Sequence, residues 1–165
     1  KRSDWEVELG VVIGDIAKAV PESKAMQYVA GYTIINDVSE RAYQLDAAAG
    51  QWTRGKGCDT FCPAGPWLVT KDEINRPQNL SLWLDVNDKK MQNGNTKTMV
   101  FSIKELVSYV SYYMTLYPGD IIATGTPPGV GMGMKPPRYL KKGDEMKLGI
   151  DGLGEQIQKV VAWKK

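Results

Sequence analysis

Between Asp4 and Gly14 the chain alternates and then turns uniformly apolar. Glu6 and Glu8 fall on one side of an extended strand, with Val7 and Leu9 on the other. Val11-Val12-Ile13 has the pattern of a strand end buried on both faces. Residues 21–29 predict a short helix with Pro21 in its first turn, stopped at Gly31. The aromatic and β-branched run Tyr32-Thr33-Ile34-Ile35 predicts a strand ending at Asn36-Asp37. A helix is expected over residues 39–49, capped by Ser39 and ended by Gly50. Residues 51–65, interrupted by Gly55, Gly57, Pro63 and Gly65, are expected to be irregular.

Further strands are predicted at residues 67–69 and 80–86. The turn Asn87-Asp88 leads into a partner near residues 90–92, making a hairpin. Ser102-Ile103-Lys104-Glu105 is a capping box. The helix it opens carries Ile103, Leu106, Val110, Tyr113 and Met114 at helical spacing, so these are expected in the core. After Pro118-Gly119, residues 120–124 predict a buried strand running into a Gly- and Pro-rich loop, and residues 146–150 and 155–163 predict two more strands. Many strands, a few short helices and no strand–helix–strand rhythm argue an α+β fold, mainly β, with an antiparallel or mixed sheet system.

Composition narrows the function classes. The 165 residues fit a single domain, 1–165, with a sizeable core, and 42% hydrophobic against 24% charged is ordinary for a globular chain. A net charge of +2 with scattered Lys and Arg gives no argument for nucleic acid or a membrane surface. No apolar run approaches the roughly 20 residues of a membrane-crossing helix, and no signal peptide is visible, so a cytoplasmic location is expected. Cys58 and Cys62, spaced C-x3-C, match neither a redox pair nor a zinc knuckle, and read as reduced, packed thiols. The sequence contains no histidine, which removes His-based triads and the commonest general base. Chemistry is left to carboxylates, lysine, hydroxyls, backbone amides and a metal. The chain opens at Lys1, five residues before its key strand, and residues upstream are expected to be missing.

Two carboxylates one strand-repeat apart can converge on a hard cation such as Mg²⁺, or can simply be solvated at a sheet edge. Asp37 ends a strand, Lys56 lies between two glycines, and Thr124 to Gly129 offers hydroxyls and free amides at a strand end. In chain order, the segments around Trp5-Glu6-Val7-Glu8-Leu9-Gly10, Tyr28-Val29-Ala30-Gly31-Tyr32 with Asn36-Asp37-Val38-Ser39-Glu40-Arg41, and Gly55-Lys56-Gly57 resemble the fumarylacetoacetate hydrolase superfamily. Asn93-Gly94-Asn95-Thr96, Pro118-Gly119-Asp120 and Thr124-Gly125-Thr126-Pro127 complete the series, so the resemblance covers essentially the whole chain.

That resemblance implies a mixed β-sandwich or roll with a few short helices. It implies Glu6, Glu8 and Asp37 as ligands to one Mg²⁺ or Mn²⁺, Lys56 as a catalytic residue, and Gln44, Thr126 and Arg41 as substrate-binding candidates. The activity implied is hydrolysis of a C–C bond in a 2,4-diketo acid, an acylpyruvate or a 2,4-diketo-3-deoxy sugar acid, with release of pyruvate. Cys58-Asp59-Thr60 and residues 134–139 look most like the sugar-acid branch. Decarboxylation of an oxaloacetate-type acid and isomerisation or hydration of a hydroxymuconate-type acid use the same kind of site. A catalytically silent metal-binding scaffold is the reading from another class. Family members form homodimers or larger homo-oligomers. They also carry an upstream His–Glu pair on a mobile lid that helps activate water, and no segment here matches it.

Overall fold

The computed structural model describes residues 2–46 and 50–163. Its strands, in chain order, are β1 Ser3–Asp4, β2 Val7–Ile13, β3 Val29–Asn36, β4 Ser39–Glu40, β5 Ala64–Thr70, β6 Ser81–Val86, β7 Lys89–Asn95, β8 Ile121–Ala123, β9 Glu145–Ile150 and β10 Gly154–Lys159. The α-helices are α1 Glu22–Ala25, α2 Thr53–Lys56 and α3 Ile103–Tyr113. The fold is α+β and mainly β, as the pattern predicts. Two four-stranded sheets, ordered β5-β3-β2-β8 and β10-β9-β6-β7, are accompanied by a separate two-stranded β1-β4 pair, and the strand pairs are antiparallel.

One hydrophobic cluster fills the space between the sheets. Val7, Leu9 and Val11 of β2 contribute to it together with Leu82, Leu84 and Val86 of β6 and Leu148 and Ile150 of β9. Each such side chain contributes about 1.5–3 kcal/mol by leaving water, so β2 is held in place by the very residues that alternate with its glutamates. The β6–β7 turn places both Asn87 and Asp88 at positive φ, the geometry whose twist matches the flanking strands.

The structure departs from the sequence expectations in several places. No single helix runs from residue 39. Ser39 and Glu40 pair with Asp4 and Ser3, and the Ser39 hydroxyl donates to the Asp37 carbonyl instead of capping a helix. A wide π-type turn follows over Ala42–Asp46. Residues 47–49 lie outside the described residues, and Gly50 takes the positive φ expected of a terminator. Residues 51–65 are less irregular than their glycines suggest, since they contain α2 and the start of β5. The predicted helix over 21–29 is shortened to α1 and a 3-10 turn before β3 begins at Val29, and the last strand stops at Lys159.

The helix α3 carries the capping box, yet turns a different face inward. Ile103, Val107 and Ser111 are buried, whereas Tyr113 and Met114 are 67% and 60% exposed. Hydrogen bonds decide this rotation. The Ser108 hydroxyl donates to the Val20 carbonyl, and the Ser111 hydroxyl accepts from the Val20 amide. Polar anchoring of the serines sends the tyrosines outward. Cys58 and Cys62 are free thiols, but Cys62 is exposed where packing was expected.

Candidate active site

Strand register assembles the acidic cluster. Val7 pairs with Asn36 and Glu8 with Ile35, which brings the residue after β3 alongside the residue before β2. The Asp37 amide donates to the Glu6 carbonyl at 2.9 Å, and the Glu6 amide donates to the Asn36 side chain at 3.0 Å. Glu6, Glu8 and Asp37 each present a carboxylate oxygen, and these oxygens lie within 4.8 Å of one another. Glu6 and Glu8 are buried.

Two cations face the cluster. Gly55 lets α2 sit against the 42–46 turn, because a Cβ there would lie 2.5 Å from the Gln44 Cβ. Seated this way, α2 delivers the Lys56 ammonium to Glu6 at 2.9 Å and to Asp37 in a closer ion pair. The Arg41 guanidinium, 3% exposed, donates to Glu6 Oε1 at 2.6 Å, to the Gln44 side-chain oxygen at 3.0 Å and to Asp4 at 3.0 Å. On the far side, the Gly125 amide donates to Glu8 Oε2 at 2.8 Å. The Thr126 hydroxyl donates to the Val7 carbonyl and accepts from Gln92, which fastens the 124–128 loop to β2.

The structure therefore gathers Glu6, Glu8, Asp37, Lys56, Arg41 and Gln44 into one connected network and sets Thr126 against the strand that carries Glu8. Three buried polar residues of the network had not been singled out in the sequence. Asn36 and Gln92 hold the amides of Glu6 and Val7, and Asp4 holds Arg41. Asp4 has the same parity as Glu6 and Glu8, so Asp-x-Glu-x-Glu was the available signal.

Burial pushes the Glu8 carboxyl up to about 7, opposed by the Gly125 amide and reinforced by the charges of Asp37 and Glu6. For Lys56, burial works against the charge, yet the hydrogen bonds to Asp37 and Glu6 outweigh it and raise the pKa above the ordinary lysine value. The same balance, with Glu6 and Asp4 as partners, raises Arg41. Lys56 is thus an ammonium throughout the physiological range, suited to stabilise negative charge and not to abstract a proton.

Four carboxylates (Asp4, Glu6, Glu8 and Asp37) against two cations leave a formal charge of −2 when all are ionised. Hard oxygen donors in a cluster with that deficit fit a hard divalent cation such as Mg²⁺ or Mn²⁺.

Two packed antiparallel sheets carrying such a cluster on the β2–β3 pair define a class, and comparison with known proteins supplies the family. The model of the fumarylacetoacetate hydrolase C-terminal domain matches residues 1–161. The chain belongs to the fumarylacetoacetate hydrolase family. A Burkholderia ambifaria protein provisionally named a hydrolase is 62% identical over 158 residues, covering 95% of this chain and 56% of its own length. The chain thus spans little more than half the length of such relatives.

Among solved structures, 5-carboxymethyl-2-hydroxymuconate delta-isomerase from Mycobacterium smegmatis superposes with a TM-score of 0.89 at 41% identity, covering 100% of this chain and 61% of that one. Maleylpyruvate hydrolase from Sphingobium sp. SYK-6, in complex with manganese(II) and pyruvate, gives a TM-score of 0.85 at 38% identity, covering 97% and 55%. No helix among the described residues is long and apolar enough to cross a membrane.

Proposed function

We propose that the protein is a divalent-metal-dependent hydrolase that cleaves a C–C bond in a 2,4-diketo acid of the acylpyruvate type and releases pyruvate. The observation that carries this reading is the Glu6–Glu8–Asp37 cluster, buried at both glutamates and half-buried at Asp37, with the Lys56 ammonium against two of its three carboxylates. Glu6, Glu8 and Asp37 would hold Mg²⁺ or Mn²⁺, which would supply Lewis-acid polarisation of a 2-oxo acid. The manganese and pyruvate in the maleylpyruvate hydrolase structure support that pairing.

In the reaction, water adds to the C4 carbonyl and the C3–C4 bond breaks. The bonding electron pair passes into the pyruvoyl half as an enolate, which takes up a proton to give pyruvate, while the acyl half leaves as a carboxylic acid. Lys56 lies where an ammonium can lower the energy of that enolate charge in a buried site. Gln44 and the 124–126 loop orient the substrate's oxygens, with the Thr126 hydroxyl holding that loop against β2. Gly125 keeps one oxygen of Glu8 fixed, so the carboxylate does not reorganise during the reaction. A homodimer is part of this proposal, and sedimentation measures it.

A second reading, isomerisation of a hydroxymuconate-type acid, is favoured by the structural neighbour with that activity. It would use the same Lys56 contact to hold a dienolate. The test is incubation of the protein at its full natural length with Mg²⁺ and an acylpyruvate, following pyruvate. Release abolished by EDTA and by Asp37→Ala is the expected result. No pyruvate, with a shift in the ultraviolet absorbance of a hydroxymuconate-type acid, transfers the site to the isomerase reading.

A further inference from the structure

The Asp4 carboxylate is completely buried and lies outside the trio that can share a cation. It accepts four hydrogen bonds and makes one further ion-pair contact. Oδ1 takes the amides of Trp5 and Gly131 at 2.9 and 2.7 Å. Oδ2 takes the Met132 amide at 2.9 Å and two guanidinium nitrogens of Arg41 at 3.0 Å. Burying a charge this fully is costly unless every lone pair is satisfied, and here three chain segments converge to do so. Room for that convergence depends on Gly131, where a Cβ would lie 1.9 Å from the Arg138 carbonyl and 2.8 Å from Asp4.

Arg41 reaches past Asp4 to Glu6 Oε1, so the orientation of Glu6 is inherited from Asp4 through one rigid guanidinium. The charges matter as much as the positions. Paired with Asp4, Arg41 is neutralised, and Glu6 keeps its negative charge for a cation. Without the Asp4 charge, Arg41 would hold Glu6 as its main counterion and the cluster would lose half of its formal deficit.

We propose that Asp4 is a positioning residue: it orients Glu6 and sets its charge for a divalent cation by engaging Arg41, and it ties that setting to the 129–133 segment. This rests on the reading of Glu6, Glu8 and Asp37 as cation ligands. Carboxylates and amides that orient metal-binding side chains typically carry about 10- to 100-fold of metal affinity.

The test is Mn²⁺ binding, by calorimetry and by the electron paramagnetic resonance of free Mn²⁺, on proteins shown to be folded by circular dichroism. Asp4→Asn is expected to weaken Mn²⁺ binding about tenfold or more. The double variant Asp4→Asn/Arg41→Gln, which removes one charge of each sign, is expected to bind better than Asp4→Asn alone. Wild-type affinity in Asp4→Asn, or a double variant weaker than the single, overturns the proposal, because a merely structural Asp4 predicts cumulative loss. If Asp4→Asn does not fold, Arg41→Lys tests the same link: it keeps the charge and loses the two-point contact. Unchanged Mn²⁺ affinity there also overturns it. Absence of Mn²⁺ binding in the wild-type protein would instead remove the cation reading itself.

Discussion

Both four-stranded sheets carry ion pairs near their strands, and they use them in opposite ways. At the β9–β10 ladder, Lys147 meets Glu155 at 3.3 Å with both side chains about half exposed. At the start of β2, Arg41 meets Glu6 at 2.6 Å with the two side chains 3% and 10% exposed. Water can replace either partner in the first pair. In the second, water has little access to either charge: β2 is buried along its whole length, and the further partners of the pair are protein charges, Lys56 on Glu6 and Asp4 on Arg41. Similar contacts therefore have different consequences: on one sheet they decorate a surface, on the other they fix geometry and shift protonation. The cost of dehydrating charge is what makes the second set usable for chemistry.

The largest expected effect follows from removing a carboxylate of the buried set. Glu8→Ala or Asp37→Ala should lower pyruvate release by about a thousandfold or more, since a cation's charge stabilisation is worth several kcal/mol. Glu155→Ala, on the other sheet, should leave the rate unchanged. A comparable loss in Glu155→Ala would erase the distinction between the sheets. Stability should show the same asymmetry. Arg41→Met strands Asp4 as a buried carboxylate without its cation and leaves Glu6 with Lys56 alone, and is expected to cost about 3–5 kcal/mol in urea unfolding.

A third effect is read from pH. Glu8 has an ordinary carboxyl value of 4.5 when unfolded and about 7 when folded, chiefly through burial. Between those values the folded chain keeps a proton that the unfolded chain has released. Stability should therefore fall as pH rises from about 4.5 to 7, by on the order of 3 kcal/mol for this group. Glu8→Gln should lose that component of the pH dependence, and saturating Mn²⁺ should remove it in the wild type, since a cation favours the ionised form. An unchanged urea midpoint difference between wild type and Glu8→Gln across this range would show that burial does not hold the proton.

What could be read in the sequence separates along the same line. Strands β2, β3 and β6 and the Ser102 capping box were legible because their signals are local: alternation, β-branching and a three-residue spacing. The cluster was legible through Glu-x-Glu, Asp37 and Lys56 in their family order. The start of the helix expected over 39–49 was misplaced, because Ser39 and Glu40 pair with β1, a partner more than thirty residues away that no local pattern reveals, while helical backbone does follow over Ala42–Asp46. Gly55-Lys56-Gly57 looked like a breaker, whereas Gly55 is a packing residue against Gln44. The outward tyrosines of α3 were hidden because apolar spacing alone does not show that Ser108 and Ser111 bind Val20. Asp4 continues the parity of the two glutamates, but its burial depends on Arg41 and the 131–132 amides, distant partners that local alternation does not show.

The smallest expected effect tests whether the outer ladder is as inconsequential as its exposure implies. Lys147 lies about 5.9 Å from the centre of the Trp83 ring as well as 3.3 Å from Glu155, so its removal deletes two weak contacts together. Lys147→Ala should cost no more than about 1 kcal/mol, and the coupling to Glu155 in a double-mutant cycle should be a few tenths, shrinking further in 0.5 M salt. A coupling above about 2 kcal/mol would mean that exposure is not what separates the two sheets. The charge at β2 would then owe its effect to the geometry of the Asp4–Arg41–Glu6 chain itself. Repeating the cycle on Asp4 and Arg41, where salt should change little, distinguishes dehydration from geometry: a coupling that survives high salt while the Lys147–Glu155 term vanishes assigns the difference to burial.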